Sequence, residues 1–149
     1  MSLLCACLSR RRNSQAHMLF QEQFARLRGV FPGTSYACLL DGSTGDLIAQ
    51  SEVAEVNTDE LARTVLGLKS AAMRFALTLS QIDSQVVHIK GDGRLFSCYG
   101  FGHTILAFYT DMPGVELELF DCCEADKSVE LINTELNRIV HATNGSRRI

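Results

Sequence analysis

Six cysteines and four histidines in a chain of 149 residues are the side chains whose spacing decides whether covalent or metal chemistry is on offer. The cysteines stand at 5, 7, 38, 98, 122 and 123. None forms a Cys-x-x-Cys pair, so both the zinc knuckle and the redox-active dithiol lack their usual frame. Vicinal Cys122-Cys123 with Cys98 and a histidine offers metal-ligand types without metal-ligand spacing. The even count also lacks the short, loop-rich framework of a secreted disulfide scaffold, and the thiols are read as reduced. Nucleophilic catalysis needs a serine or cysteine beside a base, and no Gly-x-Ser-x-Gly elbow occurs. His88, between Val87 and Ile89, reads as a strand residue on a face or edge, and His103 reads as a turn residue. Gly91-Asp-Gly93 and Gly100-Phe-Gly102 lie between strands without a following Lys-Ser or Lys-Thr, which assigns them to turns and not to a phosphate cradle. Glu116 and Glu118 alternate as one solvated face. These residues predict no catalytic centre, no cofactor and no metal.

The amino-terminal residues carry a different chemistry. Cys5 and Cys7 precede Arg10-Arg11-Arg12. Two acyl chains on those thiols would bury many methylenes in lipid, and three cations would favour an anionic leaflet. The plainer reading is a leader whose cysteines do nothing. Ser2 stands where myristoylation requires glycine. The arginines follow the apolar stretch instead of preceding it, the wrong order for a secretory signal. No apolar run approaches the roughly 18 residues that a membrane-crossing helix needs. A cytoplasmic protein, at most peripherally tethered to endomembranes, is expected.

The elements that position these residues follow from composition and periodicity. Hydrophobic residues make up 46% and charged residues 21%, which excludes bulk disorder. A net charge of −3, with arginines clustered only at the two ends, gives no electrostatic footprint for nucleic acid. The length fits one domain, expected over residues 14–143, between a flexible basic leader at 1–13 and a frayed tail at 144–149. Met18, Phe20, Phe24 and Leu27 predict a first amphipathic helix over Ser14 to Arg28, capped by Ser14. Thr34 to Leu40 and Asp46 to Ser51 flank Asp41-Gly-Ser-Thr-Gly45 as a hairpin.

Asn57-Thr-Asp-Glu60 is a cap with acidic residues in the first turn, and a helix follows to about Leu79. One of its stripes is Leu61, Val65, Leu68, Ala72, Phe75 and Leu79; a neighbouring stripe is Ala62, Leu66, Met73 and Leu77. One sheet cannot easily cover both, so the helix carries more apolar area than its own subunit hides. Gln85 to Lys90 and Arg94 to Tyr99 form a second hairpin, and Thr104 to Thr110 is apolar enough for a central strand. Val115 to Leu119 alternates like a strand but serves equally as a lead-in to a helix. Val129, Ile132, Leu136, Ile139 and Val140 predict a closing helix from Ser128 to about Thr143.

The order helix, strand, strand, long helix, three strands, helix, together with Tyr36-Ala-Cys-Leu-Leu-Asp-Gly-Ser-Thr-Gly-Asp-Leu-Ile-Ala49 and the segment Gly93 to Tyr109, resembles the Roadblock family of dynein light chains and GTPase-regulating scaffold subunits. The resemblance spans about Ser14 to Thr143. It implies an α+β fold: a five-stranded antiparallel sheet with the long helix on one face and the terminal helices on the other, a Roadblock/profilin-like sandwich. It also implies a non-enzymatic scaffold or adaptor that dimerises with itself or a related Roadblock-like subunit. The middle strand of each subunit would pair edge to edge and the long helices would pack side by side. Carried onto this chain, the interface comprises Ala62, Leu66, Met73 and Leu77 of the helix and Val86, Val87, His88 and Ile89 of the strand. Implied partners are a dynein intermediate chain or a small GTPase. The alternative architecture is a longin or profilin-like vesicle-trafficking subunit, which would open with a strand and not with a helix.

Overall fold

The computed structural model describes residues 3–51, 56–79, 86–91, 93–100, 103–111 and 122–145. Three helices and five strands follow in the order α1 (Leu3–Val30), β1 (Thr34–Asp41), β2 (Leu47–Gln50), α2 (Thr58–Leu79), β3 (Val86–Gly91), β4 (Arg94–Tyr99), β5 (Thr104–Asp111) and α3 (Cys122–Gly145). The strands form one antiparallel sheet in the order β2-β1-β5-β4-β3. This is the α+β architecture that the sequence implies.

Pleating sorts the sheet into two apolar faces, because successive side chains point to opposite sides. Cys38, Ala107, Cys98 and Val87 are paired in one row across β1, β5, β4 and β3. They belong to the layer under α2, where Tyr36, Leu40, Leu61, Val65 and Ile105 are buried. The adjacent row, Leu39, Leu106, Tyr99 and Val86, faces the other layer. There Phe20, Phe24 and Leu27 of α1 meet Val129, Ile132 and Leu136 of α3. Strand β5 lies third of five, so both of its faces are covered and its almost unbroken apolar run is accounted for.

Local signals set most boundaries. The amide of Glu60 donates to Asn57 Oδ1 at 3.1 Å, the cap expected at the start of α2. Asp41 Oδ1 accepts from the amides of Ser43 and Thr44 at 2.8 and 3.1 Å and from Ser43 Oγ at 2.6 Å, closing the β1–β2 turn. Two helix starts differ from expectation. Ser14 is no cap: α1 begins at Leu3 and passes through residue 14 without a break, and Met18 lies exposed off the buried stripe. Helix α3 begins at Cys122 and not at Ser128. Ala125, one turn before Val129, already faces the core, while Glu124 sits in the first turn, where the helix dipole favours negative charge. The segment Val115–Leu119 lies outside the described residues. Among the described residues, no helix is long and apolar enough to cross a membrane.

Candidate interaction surface

Among the described residues, two of the exposed apolar features lie on α2 and β3, the elements expected at an interface. The first is the outer flank and carboxyl-terminal end of α2. Helical spacing places Leu61, Val65, Leu68 and Ala72 over the sheet, where they are buried or half-buried. Beyond them the sheet no longer covers the helix. Met73 is 48% exposed, Phe75 64% and Leu77 82%. Phe75 shares a helical stripe with Leu61, Val65, Leu68 and Ala72, yet unlike them it stays exposed. The second feature is β3, an edge strand in which Val86, Val87 and His88 are half-buried and Ile89 is 47% exposed. An edge strand presents unpaired backbone groups, and this one has a β-branched, largely uncharged centre, the type of edge that pairs with another strand.

The eight residues expected at an interface are therefore not equivalent. Ala62 and Leu66 are half-buried beside the chain's own β1–β2 turn. Gly45 in that turn has φ of 78°, and a Cβ there would lie 2.9 Å from Leu66 Cδ1 and 3.3 Å from Ala62 Cβ. The same turn is held by Lys69, whose Nζ donates to the Gly42 carbonyl at 2.5 Å. Met73 and Leu77 continue along the helix past this cover and remain open.

His88 has partners that sequence reasoning missed. Its Nδ1 lies 2.7 Å from Ser97 Oγ and its Nε2 3.2 Å from Asp126 Oδ1, and the Tyr99 hydroxyl donates to the same carboxylate oxygen at 2.5 Å. The ring also meets Tyr99 edge-on at a centroid distance of 5.5 Å. Serine, histidine and aspartate in that order have the connectivity of a hydrolytic triad, but Ser97 is 0% exposed, and a reacting carbonyl has no route to its oxygen as packed. What the network does is structural: it ties the edge strand to the first turns of α3. The only sequence clue was the opposition of His88 and Ser97 across a hairpin, which becomes legible once the register is known.

The remaining reactive side chains are muted. Cys38 and Cys98 are buried under α2, and desolvation pushes both thiols up to about 12. Cys98 is thus sealed in the α2 layer, and the side chains of Cys122 and Cys123 lie outside the described residues. Among the described residues, no cluster of histidine, cysteine and carboxylate side chains could hold a metal ion. His103 is exposed at the β4–β5 turn, apart from His88. The backbone at Cys5 and Cys7 is helical, and their side chains lie outside the described residues.

No family profile matches the sequence, and no curated protein matches it. Similarity appears among solved structures. The gliding protein MglB from Thermus thermophilus is 21% identical with a TM-score of 0.62, over 83% of this chain and 90% of that one. An MglB with a tetrameric arrangement is 20% identical with a TM-score of 0.61, over 84% and 92%. A Roadblock/LC7 domain from Streptomyces avermitilis is 18% identical with a TM-score of 0.55, over 87% and 98%. At such identities the shared property is the path of the backbone, here over nearly the whole length of each neighbour. Sheet order, helix placement and these neighbours agree that the chain has the Roadblock/LC7 fold.

Proposed function

We propose that this protein is a non-enzymatic scaffold that self-associates through α2 and β3 and regulates a small GTPase. The observation that carries the proposal is the coincidence of an uncovered apolar helix end, Met73, Phe75 and Leu77, with an edge strand centred on Val86 to Ile89. A two-fold axis beside β3 would extend the sheet across two subunits and lay the two α2 helices side by side, burying both features with one operation. The tetrameric arrangement of a structural neighbour supports self-association of this fold. The GTPase partner rests on the Roadblock resemblance, and a dynein intermediate chain is the second partner that resemblance offers. Sedimentation of the purified chain tests the assembly: a dimer is expected, and a well-behaved monomer sinks the proposal. Affinity capture from the native cell, read by mass spectrometry, should return a small GTPase or a dynein subunit.

The same proposal puts the protein in the cytoplasm, carried at a membrane surface by the amino-terminal end of α1, which runs unbroken across the boundary expected at residue 14. Its support is the pairing of Cys5 and Cys7 with Arg10 to Arg12, since a single acyl chain gives only marginal membrane binding and a second signal makes it stable. The Cys5→Ser/Cys7→Ser double variant should leave the membrane pellet for the supernatant. Unchanged pelleting removes the acyl anchor from the reading.

A further inference from the structure

Helices α1 and α3, of 28 and 24 residues, are about 42 and 36 Å long at ~1.5 Å per residue, whereas the eight-residue strands β1 and β5 reach only about 27 Å. The helices therefore overhang the sheet. His17 and Phe20 of α1 line the same space as Val140 and His141 of α3, so the middle of one helix lies beside the late half of the other. Lys69 of α2 and His103 of the β4–β5 turn flank this space from other sides, leaving an open-sided cavity of about 990 Å³. That is at the upper end of the range for small-molecule sites.

The lining divides by chemistry. Phe20, Ile48, Ala49 and Val140 supply a buried or half-buried apolar floor. Lys69, His17, His103 and His141 supply N–H donors around it. The Lys69 ammonium is anchored by its bond to the Gly42 carbonyl, which fixes a positive charge at the wall instead of letting it wander in solvent. Asp41 also lines the cavity. Its Oδ1 is occupied by Ser43 and Thr44, whose hydrogen bonds hold the carboxyl below the ordinary carboxylate range and hence ionised. Asp41 repels a phosphate dianion twice as strongly as a monoanion, and Lys69 supplies one positive charge, which matches a single carboxylate.

We propose that this cavity binds a small amphipathic monoanion, an acyl chain ending in a carboxylate, with the chain on Phe20, Ile48 and Val140 and the head group at Lys69. Met73 of α2 also lines the cavity, so the site adjoins the α2 assembly surface, but Phe20, Ile48, Val140 and Lys69 carry no part of the function proposed above and the inference does not rest on it. Decanoate, with both chain and carboxylate, is the probe; octanol carries a chain without charge, and inorganic phosphate carries charge without a chain. Titration calorimetry on the full chain should show saturable binding of one decanoate per protomer below about 1 mM, at least about tenfold tighter than octanol or phosphate. Val140→Trp, which fills the floor, should abolish decanoate binding, and Lys69→Met should bring decanoate down to the affinity of octanol. Sedimentation of both variants should match the unmodified protein. If Val140→Trp fails to fold, the decanoate-to-octanol ratio in Lys69→Met decides alone. The proposal is overturned by no saturable decanoate binding, by octanol or phosphate binding as tightly as decanoate, or by a ratio that Lys69→Met leaves unchanged.

Discussion

Replacing Leu77 by aspartate distinguishes a surface exposed for assembly from one that is merely exposed. Leu77 keeps 82% of its accessible area in the protomer, so the protomer's own stability should shift by no more than about 0.5 kcal/mol. The dimer should respond very differently. Met73, Phe75, Leu77 and Ile89 are 48%, 64%, 82% and 47% exposed. At roughly 200 Å² per large side chain they leave on the order of 500 Å² uncovered per protomer, and about 1,000 Å² in a two-fold pair. At ~25 cal/mol per Å² the gross gain is about 25 kcal/mol. Association costs of up to about 15 kcal/mol leave about 10 kcal/mol, a submicromolar Kd.

Because the axis buries each residue twice, losing a leucine worth about 1.5–3 kcal/mol costs about 3–6 kcal/mol per dimer. That weakens Kd by about 10² to 10⁴-fold, before the added cost of desolvating two carboxylates. Sedimentation velocity at about 20 µM should therefore show a dimer for the unmodified chain and a monomer for Leu77→Asp. Melting should depend on protein concentration only for the former. A Leu77→Asp variant that associates as tightly as the unmodified chain refutes the reasoning. Leu66→Asp is a less clean test, since Leu66 also packs against the Gly45 turn of its own subunit and its loss mixes folding with assembly.

Gly45→Ala should destabilise the protein by about 1–2 kcal/mol, read as a lower urea midpoint at unchanged slope, because it adds a Cβ at positive φ against Leu66. Cys38 and Cys98, with thiols pushed up to about 12, remain protonated at pH 8 and should resist alkylation until denaturant is added; peptide mass spectrometry reads each site, and modification of either in the native protein contradicts the burial. Asp41 has its folded-state pKa lowered by the hydrogen bonds from Ser43 and Thr44. Its contribution to stability is thus fully present above the ordinary aspartate value of about 4 and is lost as pH falls through the depressed value. Asp41→Asn should flatten that acid limb in a pH series of urea midpoints.

Local chemistry made much of the fold legible in advance. The Asn57 cap, the Asp41 turn, the apolar run of β5 and the Val129–Ile139 stripe each depend on residues within a turn or two of one another, so spacing alone locates them. The excess of apolar surface on α2 was legible for the same reason, since a helix's faces follow from its period. The start of α3 was not. Its apolar stripe is visible only from Val129 onward, and the polar residues before Ser128 join the helix because Ala125 meets the core and Glu124 sits in the first turn.

Tertiary placement alone decided which part of that excess stays open. Periodicity groups Ala62, Leu66, Met73 and Leu77 on one flank, but the β1–β2 turn, folding back across the sheet end, covers the first two and leaves the last two exposed. The His88, Ser97 and Asp126 contacts join residues up to 38 positions apart and exist only because strand register and the start of α3 coincide there. The cavity at Lys69 is lined by α1, α2, α3 and the β1–β2 and β4–β5 turns, an assembly that no single segment contains. The sequence by itself determined the elements and their apolar faces, because those arise from interactions over a few residues; the occupancy of each face was settled by chain segments that meet only in three dimensions.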